Sequence, residues 1–406
     1  MVIALSPAER ARLEAEARRL VEFGRGAVHP DGGFGWLDDA GALTPGKPVE
    51  AWITSRMTHC FALAGLRGDL QPAEAHRLVD HGVRALLGPL RDVRHGGWHS
   101  GVADGRPVTE AKEGYAHAFV VLAAASATAA GHPDAPGLLA EALDVLDRRF
   151  WREDDGLMVD RCSSDWSEVD PYRGVNANMH LVEALLAAGD VTGERRWVDR
   201  AGRIVERVVH GFARDRDWRL PEHYDERWQV QLDYNLDVPA DPFRPYGVTV
   251  GHLFEWARLA LHTRTALGGR APDWLLADAQ ALRAAAAERG WSVDGAPGFV
   301  YTTDFADRPV VRERMHWVAA EAIASAWTLH RDTGAPAARA DFEAWWDYVE
   351  GHLVDREGGS WRHELGPDNL PSSTVWSGKP DIYHAYQATV LPLLPEAASF
   401  AGALLH

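Results

Sequence analysis

Apolar residues recur with helical spacing along the whole chain, whereas convincing strand alternation is scarce. A short strand fits only at residues 298–303. The periodicity predicts twelve helices in six consecutive pairs, at about residues 7–26, 51–64, 73–89, 111–130, 136–150, 176–188, 193–212, 248–266, 272–289, 313–331, 338–354 and 381–397.

The two helices of each pair differ in polarity. The second is nearly apolar all round, as in AFVVLAAASATAA at 118–130 and MHLVEALLAA at 179–188. A helix of that kind must be buried. The first helix carries a charged stripe, as in the segment that opens at residues 193–196. The pattern therefore predicts buried inner helices that alternate with outer ones.

A turn rich in glycine and aromatic residues joins the two helices of a pair. It reads DGGFGW at 31–36, HGGW at 95–98 and EGGSW at 357–361, with shorter versions at 155–157, 217–219 and 295–299. Glycine permits the tight turn, and we expect the aromatic residue to hold the loop against the core. Successive turns are about 60 residues apart, with one longer step of about 79 residues, and no linker segment interrupts the repeat.

The repeat predicts an all-α fold, a single (α/α)6 barrel over residues 1–406 with six inner and six outer helices. An open solenoid is the alternative, and it would need polar terminal caps. The last apolar run, at 389–394, lies near the chain end without such a cap, which favours a closed ring.

Composition narrows the function. The chain has 59 acidic residues against 42 Lys plus Arg, and its net charge of −17 argues against nucleic acid or an anionic membrane as a partner. No run approaches the roughly 18 apolar residues of a membrane span, and no basic leader precedes an apolar run, so we expect a cytoplasmic protein. Two Cys exclude a disulfide scaffold. The 17 Trp fit either a sugar site or a large helical core.

Candidate chemistry lies near the starts of the predicted inner helices, which would converge on a central cavity. Polar residues inside apolar helices are costly unless they are paired or face water. On four of these helices, two candidate residues are three or four positions apart and therefore share one helix face. Other histidines, namely His59, His99, His117 and His316, are interpreted as core residues. The candidate site comprises Trp52, Arg56, Tyr115, Asn176, His180, His252, Glu255, Trp317, Glu321 and His384.

Four segments carry a family resemblance: AWITSRMTH at 51–59, NANMH at 176–180, the stretch 246–256 that ends in GHLFEW, and YHAYQ at 383–387. Together they resemble the N-acylglucosamine 2-epimerase superfamily over the whole chain. Within it the chain is most similar to the aldose–ketose isomerases that act on D-mannose and on sulfoquinovose.

The resemblance implies an (α/α)6 barrel, no metal, no cofactor and two catalytic histidines. These are His252 and His384 in this sequence. It also implies that Arg56, His180 and Glu255 surround the sugar. Tyr115, Asn176, Trp52 and Trp317 match sugar-contacting positions of the family.

The residue types suit proton transfer between C2 and C1 of a monosaccharide through a cis-enediol, because histidine titrates near neutral pH. We expect His384 to move the proton. His252, oriented by Glu255 one turn on, would open the ring and serve as an acid. Arg56 would stabilise charge on O1 and O2. Glu321 is expected to contact the sugar.

Several alternatives stay open at this stage. The same enediol could lead to 2-epimerisation of mannose to glucose, and the aldose could be lyxose or sulfoquinovose. A metal enzyme could use His180, His252, Glu255 and His384. A glycoside hydrolase would need two carboxylates, and only Glu255 and Glu321 suit that role. A non-enzymatic repeat scaffold is the last alternative. The oligomeric state, a homo-oligomer included, is left open.

Overall fold

The computed structural model describes residues 5–405 and contains twelve α-helices in that range. They follow the predicted helices in number and order. Their bounds are α1 (Pro7–Gly24), α2 (Ala51–Arg67), α3 (Pro72–Leu87), α4 (Gly114–Ala129), α5 (Ala135–Val145), α6 (Asn176–Thr192), α7 (Arg195–Val205), α8 (Val250–Leu267), α9 (Trp274–Gly290), α10 (His316–Thr333), α11 (Pro336–Tyr348) and α12 (Tyr383–Val390).

The even-numbered helices form a closed inner ring. Each of α2, α4, α6, α8 and α10 contacts the next even-numbered helix, and α12 contacts α2. The odd-numbered helices pack outside them, with α1 against α12 and each of the others against the inner helix that precedes it. The predicted (α/α)6 barrel is therefore confirmed, and the open solenoid is wrong.

Burial follows the polarity of the two helix types. Every residue of α2 from Ala51 to Ala64 is buried. In α3 the buried side recurs at Leu78, Val79, Val83 and Leu86, which is one face of an amphipathic helix. The core thus lies between the two rings and inside the inner one. Among residues 5–405, no helix combines the length and the apolar character that crossing a membrane requires.

Short antiparallel ladders tie the starts of the inner helices together. The strand directly before each of the first five inner helices pairs with a strand in the loop that follows the next outer helix. The inner helices consequently start at one end of the barrel, where their amide N–H groups carry partial positive charge. The five ladders are β1 (Val49–Glu50) with β2 (Gly101–Ala103), β4 (Ala111–Glu113) with β7 (Arg161–Ser163), β8 (Arg173–Gly174) with β9 (His223–Tyr224), β10 (Val248–Thr249) with β11 (Thr302–Thr303), and β12 (Arg314–Met315) with β13 (Glu364–Leu365).

Two further strand pairs lie in the loops. β3 (Arg106–Pro107) extends the first ladder from β2, and β5 (Trp151–Arg152) pairs with β6 (Leu157–Met158). The ladders explain why three helices begin later than predicted, since the residues expected at their starts form β4, β10 and β12. The predicted strand at 298–303 contains β11 and a bridge from Phe299 to Trp291.

Helix ends also differ from the prediction. The outer helices α5, α7 and α11 continue as π-helical turns over Leu146–Phe150, Glu206–Ala213 and Val349–Leu353. The last inner helix was predicted to reach residue 397 but ends at Val390, followed by a 3-10 turn over Leu391–Leu393. Pro392 has no N–H to continue the α-helical hydrogen bonding there.

The aromatic residues of the hairpin turns hold the loops against the core, as expected. Trp98 and Trp361 are fully buried. The Trp98 indole N–H donates to the carbonyl oxygen of Leu86 at 2.7 Å, and that of Trp361 donates to Oε1 of Glu16 at 2.7 Å. Gly97 has a φ of +70°, and a Cβ there would lie 2.7 Å from Nε2 of His117. Glycine is therefore required at this turn.

Candidate active site

A cavity opens at the end of the barrel where the inner helices begin. Nine of the ten predicted site residues line it, drawn from all six inner helices: Trp52, Arg56, Tyr115, Asn176, His180, His252, Glu255, Trp317 and His384. The tenth, Glu321, lies behind this surface. The sequence prediction therefore located the cavity, although not the contacts within it.

His384 is the second residue of α12, and Glu321 of α10 fixes its ring. Nδ1 of His384 lies 2.9 Å from Oε1 of Glu321. This contact leaves Nε2 as the ring nitrogen available to a ligand in the cavity. Burial lowers the pKa of His384 well below its ordinary value, and the charge of Arg56 lowers it further. The imidazole is accordingly neutral at pH 7, the form that can accept a proton.

Glu321 was expected to contact a sugar, and that expectation is wrong. One of its carboxylate oxygens accepts from His384, and the other accepts a hydrogen bond from Nε of Arg258 at 2.8 Å. Only 2% of the residue is exposed. It lies where it can orient the His384 ring.

A second carboxylate, that of Glu222, fixes His252. Oε1 of Glu222 lies 2.8 Å from Nδ1 of His252, and both side chains are buried. The expectation that Glu255 orients His252 is therefore wrong. Glu222 directly precedes β9, and the ladder with β8 carries it to the barrel end, which helical spacing alone could not reveal.

Trp317 lies beside both histidines. Its ring centroid is 5.1 Å from that of His252 and 5.7 Å from that of His384. Gly251 allows this position, because a Cβ there would lie 2.3 Å from Cζ3 of Trp317. The indole thus forms an apolar surface next to both candidate catalytic rings.

Arg56 of α2 supplies a permanent positive charge at the cavity wall. Its Nη1 lies 3.2 Å from Oδ2 of Asp381, and its Nη2 donates to the hydroxyl of Tyr115 at 2.9 Å. The guanidinium also stacks on Phe119, 4.5 Å from the ring centroid. These contacts hold it rigidly at the cavity wall, where it can stabilise an oxyanion.

His180 and Glu255 form a buried pair in the cavity. Nδ1 of His180 lies 3.6 Å from Oε1 of Glu255. Among the described residues, neither carboxylate oxygen of Glu255 has a hydrogen-bond partner. Burial raises the pKa of Glu255 well above its ordinary value, and the nearby charge of Glu321 adds to the effect. Burial thus favours the neutral form of Glu255, which can donate a hydrogen bond to a ligand.

Within residues 5–405, two groups of side chains could hold a metal ion, His180 with Glu183 and Glu255, and Glu255 with Glu321 and His384. The second group already has a cation. The Arg258 guanidinium bonds to Glu321 and lies 3.7 Å from Oε1 of Glu255. Glu183 is bonded by the Tyr383 hydroxyl and by Gln387. These protein partners occupy oxygens that a metal would need.

Eight lining residues that were not predicted complete the cavity, among them Phe243, Trp376, Asp381 and His363. They lie in loops between elements, where helical spacing gives no signal. His316 was interpreted as a core residue, and it also lines the cavity. His59 and His117 fit that interpretation better, whereas His99 is only partly buried. His117 accepts from the Trp98 amide at 3.1 Å, and His59 bonds to Ser126 and Gln387.

Known proteins are similar in sequence to this chain along nearly its whole length. The family model of N-acylglucosamine 2-epimerase (GlcNAc 2-epimerase) matches residues 32–388. A D-mannose isomerase from Thermobifida fusca is 56% identical over 399 residues, which are 98% of this chain and 97% of that protein. One from Pseudomonas cannabina pv. alisalensis is 49% identical over 402 residues, 98% of this chain and 96% of that protein.

A solved structure agrees with these relatives. A crystal structure of a D-mannose isomerase superposes with a TM-score of 0.89 at 28% identity and covers 96% of this chain and 99% of that one. The resemblance expected from the motifs is confirmed. The chain belongs to the N-acylglucosamine 2-epimerase family.

Proposed function

We propose that this protein is an aldose–ketose isomerase that interconverts D-mannose and D-fructose through a cis-enediol. One observation carries the proposal. His252 and His384 line the same buried cavity beside Trp317, and each is bonded through Nδ1 to a carboxylate, Glu222 or Glu321. Two oriented imidazoles suit the movement of protons between neighbouring carbon and oxygen atoms.

The substrate is inferred from the lining of the cavity and from the relatives. Indole walls with several convergent polar side chains suit a monosaccharide. The relatives at 56% and 49% identity are named D-mannose isomerase, and they cover almost the whole chain. Their names support mannose ahead of lyxose or sulfoquinovose.

In the proposed reaction, neutral His384 removes the proton from C2 of open-chain mannose. The electrons of the C2–H bond form the C1–C2 double bond, and the acid His252 gives a proton to O1. The resulting cis-enediol then gives the proton on O2 to His252, which regains its acid form, and C1 receives the proton held by His384. The product is fructose, and no proton is gained or lost overall.

The other lining residues hold the sugar and its developing charge. Arg56 stabilises negative charge on O1 and O2 while that charge develops. Trp52 and Trp317 present apolar faces to the sugar ring. Tyr115, Asn176, His180 and Glu255 offer hydrogen bonds to its hydroxyl groups. Asn176 suits this role because its Oδ1 is buried and has no partner among the described residues.

The test is to incubate the purified protein with D-mannose and to separate the products by chromatography. We expect fructose, and the variant His384→Asn should lose nearly all turnover while the fold, followed by circular dichroism, is retained. Parallel incubations with lyxose and sulfoquinovose rank the aldoses. Activity that survives prolonged dialysis against a chelator supports the metal-independent reaction. Absence of fructose from an intact protein would overturn the proposal.

A second candidate is 2-epimerisation of mannose to glucose. It is favoured by the presence of two carboxylate-bound histidines, because a second base could return the proton to the other face of C2. Glucose formed faster than fructose in the same incubation would establish it.

A further inference from the structure

Two histidines that the proposed reaction does not use stack on each other at the cavity wall. The ring centroids of His316 and His363 are 3.6 Å apart, and the ring planes differ by 21°. Only 4% of His316 and 7% of His363 is exposed. Both residues line the cavity, and the His316 ring lies 6.4 Å from that of His384.

The backbone fixes the position of both rings. His316 begins α10 directly after β12, and His363 directly precedes β13, so the ladder between these strands brings them together. The His316 amide N–H donates to the carbonyl oxygen of His363 at 3.0 Å. Stacked rings held by a ladder cannot easily turn away from the cavity.

In each ring, one nitrogen faces the backbone and the other has no partner. Nδ1 of His316 lies 3.4 Å from the carbonyl oxygen of His363, and the His363 ring hydrogen-bonds to the backbone of Asp381. Among the described residues, Nε2 of neither ring has a hydrogen-bond partner. Buried polar atoms are nearly always bonded, so two neighbouring ones at a cavity wall indicate a ligand.

Both rings are neutral at pH 7. Burial lowers the pKa of His316 to about 4. Burial lowers that of His363 well below its ordinary value, and the neighbouring His316 adds to the shift. Because Nδ1 carries the proton that bonds to the backbone, Nε2 is a hydrogen-bond acceptor in each ring. Each ring of the stacked pair thus has one acceptor without a partner among the described residues.

We propose that His316 and His363 form a subsite that accepts hydrogen bonds from two neighbouring hydroxyl groups of the sugar. Hydroxyl groups on adjacent carbons are the donors that a sugar can offer to two adjacent acceptors. The pair determines specificity and takes no part in the proton transfer of His384. The inference rests on the proposed function, since it concerns the same sugar and cavity.

Monodeoxy sugars test the subsite. In the wild-type protein, removal of a hydroxyl that the pair binds should lower kcat/KM by about tenfold, the effect of about 1.4 kcal/mol. The substitution His363→Phe keeps a stacked ring and removes the acceptor. In this variant the same deoxy sugar should react about as well as mannose. The substitution His316→Phe should do the same for the hydroxyl on the adjacent carbon.

The substrates are D-mannose and its 3-, 4-, 5- and 6-deoxy derivatives, so hydroxyls that the pair does not bind serve as internal controls. If every deoxy penalty is equally large in wild type and in both variants, the inference is overturned. Thermal unfolding checks each variant. Where a Phe variant does not fold, the Ala variant at the same position replaces it, since alanine also removes the acceptor and should cancel the same deoxy penalty.

Binding of D-mannitol, measured by calorimetry, separates this inference from the proposed function. Mannitol has the hydroxyl groups but cannot be isomerised. If the wild-type protein fails to turn over mannose yet binds mannitol about tenfold more tightly than His363→Phe does, the function fails and the subsite holds. Equal affinities in the two proteins would overturn the subsite even if mannose is isomerised.

Discussion

Glu321 joins His384 to Arg258 through its two carboxylate oxygens. Oε1 lies 2.9 Å from Nδ1 of His384, and Oε2 accepts from Nε of Arg258 at 2.8 Å. The carboxylate fixes the ring in one tautomer, and the guanidinium fixes the carboxylate. His252 has a matching partner in Glu222, at 2.8 Å. In each candidate catalytic histidine, Nδ1 is therefore hydrogen-bonded to a buried glutamate of another structural element.

The first prediction concerns Glu321. The substitution Glu321→Gln should lower kcat for mannose by about 10- to 100-fold with little change in KM, because the amide can present N–H where His384 needs an acceptor. Steady-state kinetics measures kcat and KM separately. Glu343→Gln, on the exposed side of α11, is the matched control and should behave as wild type. A kcat for Glu321→Gln within twofold of wild type would contradict the positioning role.

The second prediction separates Glu222 from Glu255. Glu222→Gln should lower kcat by about 10- to 100-fold, since it removes the acceptor at Nδ1 of His252. Glu255→Gln should lower kcat by less than about fivefold, because burial raises the pKa of Glu255 and favours its neutral form, which an amide resembles. The two variants are compared under the same conditions. The reverse order of losses would restore Glu255 as the partner of His252.

The helical pattern of the sequence predicted the ring and most of the cavity because both follow from local spacing. Trp52, Arg56, Asn176 and His180 lie within the first two turns of their helices, and every barrel of this kind brings those turns together. The positioning contacts could not be predicted in this way. Glu222 reaches His252 through a ladder between loops, and no periodicity marks it.

Glu321 and Glu255 show a second limit of sequence reasoning. Both lie on inner helices, yet which histidine each of them meets depends on side-chain reach between neighbouring helices. His363 illustrates the same limit, since it lies outside any helix and reaches His316 through the last ladder. Sequence alone identified which residues converge but not how they pair.

The third prediction concerns Arg258, which is fully buried beside Glu321 and Glu255. Arg258→Met should lower the free energy of unfolding by about 3–5 kcal/mol, because it leaves a buried carboxylate without its cation. Arg258→Lys should recover part of that stability but less of kcat, since an ammonium cannot reproduce the planar geometry of the guanidinium. Urea unfolding and kinetics measure the two effects. Equal stability of Arg258→Met and wild type would contradict the role.

The fourth prediction concerns the close approach of Gly251 and Trp317. Gly251→Ala should lower kcat/KM for mannose by about tenfold, because its Cβ would lie 2.3 Å from the indole and must displace it from His252 and His384. Gly137→Ala in α5 is the matched control. Nothing lies within 4 Å of its added Cβ, so it should stabilise the protein by about 0.5–1 kcal/mol without a change in activity. Unchanged kinetics in Gly251→Ala would contradict the contact.

The fifth prediction concerns acid stability and the buried His117. Burial lowers its pKa to about 3, and its Nε2 accepts from the Trp98 amide, so it stays neutral in the fold. The unfolded chain takes up a proton here below pH 6.5, and stability is therefore lost as pH falls from 6.5 towards 3. The loss is about 1.4 kcal/mol per pH unit, or roughly 2 kcal/mol by pH 5. His117→Gln removes this titration. The fall in unfolding free energy between pH 7 and pH 5, measured in urea, should be about 2 kcal/mol smaller in the variant, and equal falls in both proteins would show that His117 is protonated in the fold.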